Sequence, residues 1–315
     1  MMKFDTHFHT NVSDGYYSNE QVLAEAKAKG LDLAIVTEHD IVNTDFVNLA
    51  KQNNIYSFEG VEFSVYDDRI AHKSMHIVGY STSFSKNVCD ILDDTRKGRI
   101  NKVKKQIEKL VSNGYIIDYE EFIEYYRNKG FDVNNLNNSQ VSEYLMMNPQ
   151  NNELTVELTG EVLSQGDFIR RCLKSHGDLK YIGWAQIERY EPSVRTIGEL
   201  SKQEGFVVSL AHPNFTFRDD YVLFMYFVSE YKDLINGIEI NSLASKEWVE
   251  LILKTAKKYN LILTFGSDDH FVRDKVDDVH GQLGEMNPFV TEADMMENFK
   301  NFLMLVRATN GMKEK

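Results

Sequence analysis

Short apolar runs alternate with amphipathic segments near the start of the chain. The runs "MKFDTHF", "LDLAIVTEH", "IYSFEGVEFSV" and "RIAHKSMHIVGY" have the length and residue types of β-strands, and the turn "YDD" precedes the last of them. Between the first two, "SNEQVLAEAKAKG" predicts a helix, because Ser18 and Gln21 are spaced as a capping box and Gly30 can end it. The N-terminal part of the chain therefore predicts strands and helices in alternation.

The same alternation returns from residue 206 onward. Strand-like runs occur in "GFVVSLAHP", "INGIEIN" and "LILTFGSDDH". Helical patterns occur around 219–232, in "SKEWVELILKTAKKYN" and in "EADMMENFKNFLMLVRA". Strands that alternate with helices in this way predict a parallel β/α architecture, and a barrel is the form that we expect.

The middle of the chain breaks this alternation. Residues 86–128 have a long, charged and mainly helical pattern, and residues 129–165 are Asn-rich and weakly patterned. We therefore predict a barrel in two parts, 1–95 and 196–315, interrupted by a mainly helical insertion over 96–195. This insertion is expected to act as a lid or as a substrate-binding subdomain. The pattern leaves open whether the helices over 86–128 cover the site or pair with another subunit.

Composition narrows the class of partner. The chain has 35 Lys and Arg against 48 Asp and Glu, a net charge of −13, which disfavours binding to long nucleic acid. A small anionic substrate is still allowed, because bound divalent cations can reverse the local field of a site. The two cysteines show no CxxC spacing, the start of the chain shows no signal peptide, and the longest apolar run, "YVLFMYFV", is too short to span a bilayer. We expect a cytoplasmic protein with no membrane partner, and the oligomeric state is left open.

Histidines and acids collect at one end of the predicted strands. His7 and His9 lie at i and i+2, so both imidazoles are on one face of an extended strand. In a β/α barrel the carboxyl ends of the strands form one rim, where active sites lie. Nine residues map to this rim and form the predicted metal-ligand set: His7, His9, Asp14, His39, Glu62, His76, His212, Asp268 and His270.

The chemistry of this set indicates the metal class. Imidazole and carboxylate ligands without thiolate suit Zn, Mn or Fe and do not distinguish among them. Nine ligands exceed the needs of one ion, so two or three divalent ions that share a bridging carboxylate fit better.

Several members of the set, and some residues near it, have structural alternatives. His76 or His212, taken alone, would more often be a core histidine, and Asp14 before Gly15 could simply make a turn. Three flanking acids would either orient an imidazole or lie in solvent: Asp5, Glu38 and Asp40. Glu59, three residues before Glu62, is expected to point to the opposite face of its strand. The remaining histidines are expected at the surface: His72, His176 and His280.

Seven short motifs occur in the order typical of the PHP (polymerase and histidinol phosphatase) family. They are "THFH", "SDG", "TEHD", "GVEF", "HIVGY", "AHP" and "GSDDH", and they lie within about 1–80 and 205–285. The chain therefore resembles this family. The resemblance implies a distorted (β/α)7 TIM-like barrel and hydrolysis of phosphate esters at a trinuclear site, with the nine residues above as ligands and Glu62 as the bridge.

The function predicted from the sequence is a metal-dependent phosphoesterase that uses a metal-bridging hydroxide on a small phosphorylated metabolite or nucleotide. Catalytic roles are predicted for Glu62, Asp268 and His270. The G-R-P-H-like stretch that often holds the substrate phosphate in this family is replaced by "LSQGDFIRRCLKSHG". The substitute candidates for binding the phosphate are Arg218, Arg170 and Arg171. Two alternatives remain open: a metal-dependent hydrolase of a non-phosphate bond, and a non-catalytic, metal-bound scaffold.

Overall fold

Seven strands occur in the part of the chain that the structure describes. The computed structural model describes residues 2–70, 75–271 and 280–310. The strands are β1 (Phe4–Asp5), β2 (Leu33–Ala34), β3 (Glu59–Val65), β4 (Met75–Ser81), β5 (Val207–Leu210), β6 (Gly237–Asn241) and β7 (Ile262–Gly266). β1 and β2 pair in parallel, and the other five form one sheet in the order β3-β4-β5-β6-β7. The chain is therefore an α/β protein, as the sequence predicts.

The helices follow the strands in the expected alternation. They are α1 (Asn19–Lys29), α2 (Thr44–Gln52), α3 (Lys86–Ser112), α4 (Tyr119–Asn128), α5 (Asn138–Met146), α6 (Pro149–Thr159), α7 (Gln165–Phe168), α8 (Val194–Glu204), α9 (Pro213–Phe217), α10 (Tyr221–Tyr231), α11 (Lys246–Tyr259) and α12 (Glu292–Asn310). α1 has the predicted capping box of Ser18 and Gln21, and it ends at Gly30 in the left-handed conformation. The Asn-rich stretch, which looked weakly patterned, contains α5 and α6, each begun by an asparagine that accepts a backbone N–H. None of the described helices is both long and apolar enough to cross a membrane.

The direction of β4 corrects the prediction of a parallel sheet. β4 runs antiparallel to β3 and to β5, whereas β5, β6 and β7 are parallel to one another. A parallel crossover needs a dozen or more residues, and only residues 66–74 connect β3 to β4. The chain therefore has to reverse at this connection. The reversal puts the start of β4, where His76 lies, beside the carboxyl-terminal half of β3.

Further contacts link the two sheets along their edges. Parallel bridges join Leu33 to Tyr56 and His39 to Glu62, on the β3 side of β2. On the other side of β1, Phe8 bridges Asp269, and the backbone N–H of Asp268 donates to the carbonyl of His7 at 2.8 Å. The segments that follow β1 and β7 are therefore neighbours.

The chain divides into two compact units. The first comprises Met1–Thr10, Gly15–Leu92 and Pro192–Lys315, and the second comprises Asn11–Asp14 and Asp93–Glu191. In the first unit α12 packs on the sheet through aromatic rings: Phe299 stacks on Phe4 with 3.9 Å between ring centroids. The second unit has its own apolar core, built from α3 to α7 around buried side chains such as Phe122, Tyr126 and Phe168.

Candidate metal centre

The first unit brings eight of the nine predicted ligands together. Most of them follow a strand, and two lie within one: His7 and His9 after β1, His39 after β2, Glu62 at the middle of β3, His76 near the start of β4, His212 after β5, and Asp268 and His270 after β7. Glu62 is at the middle of this group and is 1% exposed. The reversed β4 brings His76 to the same end of the sheet as the residues that follow the parallel strands.

Five histidines surround the carboxylate of Glu62. Its Oε1 lies 2.9 Å from both Nδ1 of His76 and Nε2 of His212. Its Oε2 lies 3.1–3.4 Å from the nearest nitrogens of the other three, which are His7, His9 and His39. A single carboxylate cannot accept a good hydrogen bond from all five rings. The arrangement is typical of ligands grouped around shared ions.

The ligand atoms fall into overlapping groups. Atoms of His7, His9, Glu62 and Asp268 all lie within 4.8 Å of one another, and so do atoms of His39, Glu62 and His76. His9 is also close to His270, whose ring centroid lies 4.2 Å away. Glu62 belongs to both the group with His7 and the group with His39, so it is the carboxylate that could bridge two ions.

The spacing within these groups fits divalent metal ions. Two ligand atoms bonded to one ion at about 2.0–2.2 Å lie about 2.8–3.6 Å apart. Nε2 of His7 and Nε2 of His9 lie 3.3 Å and 3.2 Å from Oδ1 of Asp268. In addition, Nε2 of His7 and Oε2 of Glu62 are buried without a hydrogen-bond partner among the described residues. A buried polar atom is costly when left unsatisfied, and a shared cation would satisfy both atoms.

Glu239 is a site residue that the sequence analysis missed. It lies in β6, fully buried, and its Oε2 is 2.7 Å from Nδ1 of His7. Its Oε1 accepts the backbone N–H of His212 at 3.1 Å. A carboxylate on the far nitrogen of a ligand imidazole fixes the tautomer and the ring orientation. The available signal was an acid at the centre of the otherwise apolar strand "GIEIN".

The ionisable groups of the centre are buried away from water, and their pKa values are shifted by burial and by one another. Burial by itself would raise the pKa of Glu62, but the imidazoles of His76, His39 and His7 hold that pKa well below its usual range. For His7, burial would lower the pKa, but neighbouring carboxylates, first among them Glu239, raise it well above the usual value. Carboxylates that stay ionised and imidazoles that attract positive charge together favour a cation.

Backbone strain occurs at two of the predicted ligands. His212 and Asp268 have φ angles of 24° and 58°, in the left-handed region that residues other than glycine rarely adopt. Such conformations cost of order 1–3 kcal/mol and persist where the surrounding structure enforces them. Here the hydrogen bonds from His212 N–H to Glu239 and from Asp268 N–H to the His7 carbonyl hold both residues in place.

The three flanking acids are buried, which rules out the prediction that they lie in solvent. Asp5 accepts the Ser267 hydroxyl at 2.6 Å, and burial raises the pKa of Asp5 to about 6. Glu38 accepts the backbone N–H of Thr10 at 3.1 Å. Asp40 accepts the backbone N–H of Ser64 at 2.8 Å. These contacts hold the loops that carry the ligands.

Glu59 and the described histidines outside the predicted ligand set lie in different surroundings. Glu59 accepts the backbone N–H of Phe84 at 2.6 Å. His280 was expected at the surface, but its ring lies 4.0 Å from that of His270, and its Nε2 lies 4.0 Å from Oδ2 of Asp268. His280 is therefore beside the centre. His176 is exposed in the second unit, and His72 falls outside the described residues.

The contacts of Asp14 and of the candidate arginines involve residues other than the eight grouped ones. Asp14 belongs to the second unit, where it accepts from the Asn137 side chain at 2.9 Å, and its role as a ligand stays a prediction. Arg170 pairs with Asp167 at 2.5 Å, and Arg171 pairs with Asp178 at 2.7 Å. Arg218 is exposed after α9, and its carbonyl accepts the Trp248 indole N–H at 3.0 Å.

Comparison with known proteins adds the following. No family model matches the chain. A stretch of 123 residues, 38% of the chain, is 29% identical to the phosphoribosyl 1,2-cyclic phosphate 1,2-diphosphodiesterase of Eggerthella lenta; the match spans 47% of that relative, about half its length. A presumed metal-dependent phosphoesterase from Bifidobacterium adolescentis has the same fold, with a TM-score of 0.71 and 18% identity over 96% of each chain. An amidohydrolase from Chromobacterium violaceum with bound sulfate and no metal has a TM-score of 0.67 and 19% identity, over 91% of this chain and 93% of that one.

The fold and the centre together define an α/β protein with a site suited to divalent metal ions. The seven motifs carry the resemblance to the PHP family, and the comparisons agree with it: the solved structure has the same fold, and the partial relative is a phosphodiesterase.

Proposed function

We propose that the chain is a metal-dependent phosphoesterase that hydrolyses a small soluble phosphate ester. The observation that carries this proposal is the buried Glu62 carboxylate with five imidazoles 2.9–3.4 Å from its oxygens, at the spacing of metal ligands. The diphosphodiesterase relative, whose named substrate is a small cyclic phosphate, supports the same chemistry. A small substrate also accords with the acidic charge and with the predicted cytoplasmic location, which stays a prediction.

We further propose that the strands of the first unit form the distorted seven-stranded barrel predicted from the sequence. Its support is the cycle of neighbours: β1 pairs with β2, bridges join the β2 side to β3, and β3 to β7 follow in order. The contacts of Phe8 with Asp269 and of His7 with Asp268 then return to β1. A closed cycle would explain why the ends of strands far apart in the sequence share one centre.

The proposed ligand set is the one predicted from the sequence, with two or three divalent ions of the Zn, Mn or Fe class. The overlapping groups around Glu62 support a bridging role for this residue. When bound, the ions would supply a deprotonated water at neutral pH and neutralise charge on the phosphoryl oxygens. Asp14 completes the proposed set from the loop after β1.

The residues of the chain then have separate tasks. Glu239 holds the His7 ring in one tautomer, with Nδ1 toward the carboxylate and Nε2 toward the centre. Asp268 and His270 follow β7 and, with Glu62, are the proposed catalytic residues. His76 and His39 are 20% and 12% exposed, so the centre is open to solvent beside them. The leaving oxygen needs a proton or a cation, and a histidine or acid of the rim would supply the proton.

Of the candidate arginines, Arg218 is the one we retain for the substrate phosphate. Its side chain is exposed, it comes six residues after the ligand His212, and its backbone has a φ of 53°. A non-glycine residue held in this conformation is a reason to suspect function. Arg170 and Arg171 already pair with acids, which makes them weaker candidates. We also propose that the helical insertion predicted over 96–195 acts as a lid or as a substrate-binding subdomain.

The decisive experiment is phosphate release from a panel of substrates with the Mn²⁺-loaded chain. The panel contains sugar phosphates, mononucleotides, nucleoside bisphosphates, cyclic phosphates and short oligonucleotides, and a phosphatase added afterwards reveals diester cleavage. We expect turnover of one class, and we expect the variant His7→Ala/His9→Ala to lose activity and bound metal together.

The control is Glu59→Gln, a change in the same strand as Glu62 at a carboxylate that accepts the backbone N–H of Phe84. This variant should keep both metal and activity. Phosphate release that is unchanged in His7→Ala/His9→Ala would refute the proposed centre. No turnover of any substrate by a metal-loaded chain would favour a non-phosphate hydrolase or a scaffold.

A further inference from the structure

His280 lies beside the centre, although neither the motifs nor the predicted ligand set includes it. Its ring centroid lies 4.0 Å from that of His270, and its Nε2 lies 4.0 Å from Oδ2 of Asp268. Its side chain is 28% exposed, against 20% for His76, the most exposed histidine of the predicted ligand set. Among the described residues, His280 is therefore the imidazole beside the centre that is most open to an incoming molecule.

The backbone that follows His280 is anchored to residues at or just after the ends of β1 and β7. Three of its N–H groups donate hydrogen bonds: Gly281 to the Ser267 carbonyl at 2.8 Å, Leu283 to Asp269 at 2.6 Å and Gly284 to Asp5 at 2.7 Å. A Cβ on Gly281 would lie 1.9 Å from Oγ of Ser242, so no side chain fits at the position next to His280. The place of the imidazole is therefore set by close packing of the backbone beside it.

Asp268 presents one oxygen to two of the predicted ligands and the other oxygen to His280. Its Oδ1 lies 3.3 Å and 3.2 Å from Nε2 of His7 and of His9, whereas its Oδ2 is the oxygen nearest to His280. The neighbouring ring is fixed as well, because Nδ1 of His270 donates to the Asp268 carbonyl at 2.9 Å. The ring of His280 lies against this ring, with 33° between the two planes. One side of the Asp268 carboxylate therefore belongs to the proposed centre, and the other side faces His280.

The separation of 4.0 Å between Nε2 of His280 and Oδ2 of Asp268 suits a shared partner better than a direct hydrogen bond. Direct N–H···O bonds measure about 2.7–3.2 Å, and one oxygen atom at about 2.8 Å from each group would bridge the two. That oxygen has to accept from the imidazole N–H and donate to the carboxylate. A hydroxyl group can do both, whereas a phosphoryl oxygen only accepts and would be repelled by the carboxylate.

We propose that His280 and Asp268 together bind a hydroxyl group of the substrate, close to the phosphate at the proposed metal centre. Asp268 would offer Oδ2 to the hydroxyl and keep Oδ1 toward the centre, and His280 would donate through Nε2. The imidazolium and the neutral tautomer with hydrogen on Nε2 can both donate in this way. The preferred substrates are then phosphate esters of polyols or sugars that keep a free hydroxyl near the ester oxygen. This inference rests on the proposed function and narrows its substrate class.

The test is calorimetric titration of two phosphonates, which cannot be hydrolysed, into the Mn²⁺-loaded full chain. One is the phosphonate isostere of glycerol phosphate, and the other is its analogue without the central hydroxyl. We expect the parent chain to bind the first about tenfold more tightly, because its hydroxyl gains hydrogen bonds to a carboxylate and an imidazole. His280→Phe keeps a ring against His270 but removes the donor, and it should reduce this preference to about twofold or less.

Two further variants separate hydrogen bonding from packing. His280→Gln places an amide N–H close to the position of Nε2 and should retain the hydroxyl preference within a few fold. The matched control is Gln282→Ala, which changes an exposed side chain of the same segment and should leave the preference as it is in the parent chain. Bound Mn²⁺ and thermal unfolding show whether each variant is loaded and folded, and His280→Leu replaces His280→Phe if the latter is not.

Equal affinity of the parent chain for the two phosphonates, or no affinity for either, would overturn the proposal. A hydroxyl preference that persists in folded, metal-loaded His280→Phe would overturn it too, because His280 would then only pack against His270.

Kinetics with the Mn²⁺-loaded chain separate this inference from the proposed function. With glycerol phosphate and its analogue without the central hydroxyl as substrates, His280→Phe should lower kcat/KM for the first and leave kcat/KM for the second unchanged. Hydrolysis of both substrates without a hydroxyl preference would contradict this inference alone. A hydroxyl preference in the titration, without hydrolysis of any substrate in the panel, would contradict the proposed function alone.

Discussion

Glu62 and Glu239 are buried carboxylates on either side of the His7 ring, and they have different tasks. Glu62 lies near Nε2, the nitrogen that faces the other ligands, and Glu239 lies 2.7 Å from Nδ1. The same ring therefore faces the proposed metal centre with one nitrogen and is held in place at the other. Neither acid can be exchanged for the other, although both sit in strands of the same sheet.

Replacing Glu239 by Gln is expected to weaken metal binding without removing a ligand. The amide cannot offer two acceptor oxygens, so it cannot hold His7 Nδ1 and the backbone N–H of His212 together. We expect a 10–100-fold loss of Mn²⁺ affinity, the usual effect of removing a partner of a metal-bound histidine. Competition with a fluorescent chelator measures it, with Glu59→Gln as the unaffected control. An unchanged affinity would mean that Glu239 does not orient His7.

Some residues of the centre can be predicted from the sequence, and others cannot. The HxH spacing, "TEHD" and "GSDDH" predict ligands because residue types that bind metals stand close together in the sequence. Glu239 is a single acid in an apolar strand and His280 has no motif, so their roles depend on which strands and loops are neighbours in space. Asp5, Glu38 and Asp40 were recognised as candidates, but their partners are mostly backbone N–H groups, which sequence patterns do not reveal.

At the level of elements, the close approach of the end of β7 to the segment after β1 limits which side chains fit there. Gly266 ends β7, and a Cβ at this position would lie 2.2 Å from the Cβ of His7. Glycine is therefore required because another strand end approaches, and no turn is involved. His7 can take up its position only because Gly266 has no side chain.

The variant Gly266→Ala should push His7 away from the centre. We expect a loss of about 1–3 kcal/mol in the free energy of unfolding from overpacking, together with weaker Mn²⁺ binding. Gly166→Ala is the matched control, because a Cβ there meets nothing within 4 Å and its effect should be small. Chemical denaturation and metal titration of both variants measure the two effects. Gly266→Ala with wild-type stability and affinity would contradict the close approach.

Element types were easier to predict than element directions. Caps and periodicity identify α1 and α11, and apolar runs identify β3 to β7, because these signals are local. The direction of β4 is a property of the sheet. The length of the connection over residues 66–74 did carry the information, since it is too short for a parallel crossover.

For the whole molecule, metal binding and protonation should compete. The pKa values of His7 and His212 are raised by the carboxylates around them, so in the absence of metal these rings bind protons more readily than free histidine does. A group with a raised pKa in the folded state stabilises the fold below its unfolded pKa and loses that contribution as pH rises through the folded value. Metal ions require the neutral rings and replace the protons.

The stabilisation of the chain by Mn²⁺ should therefore grow as pH rises from about 6 to about 8. The measurement is the increase in Tm on adding a fixed Mn²⁺ concentration, compared across this range in the parent chain and in His7→Ala/His9→Ala. The variant should show little increase at any pH. A shift that is the same at both ends of the range in the parent chain would show that no protons are displaced.

The contact between the segments after β1 and β7 has a consequence for biosynthesis. Six of the proposed ligands are made within the first 76 residues, yet His7 and Phe8 hydrogen-bond or pair with Asp268 and Asp269, which are made close to the end. A nascent chain on the ribosome thus displays several histidines long before their partners exist. The proposed metal centre can therefore be complete only after translation has passed residue 270.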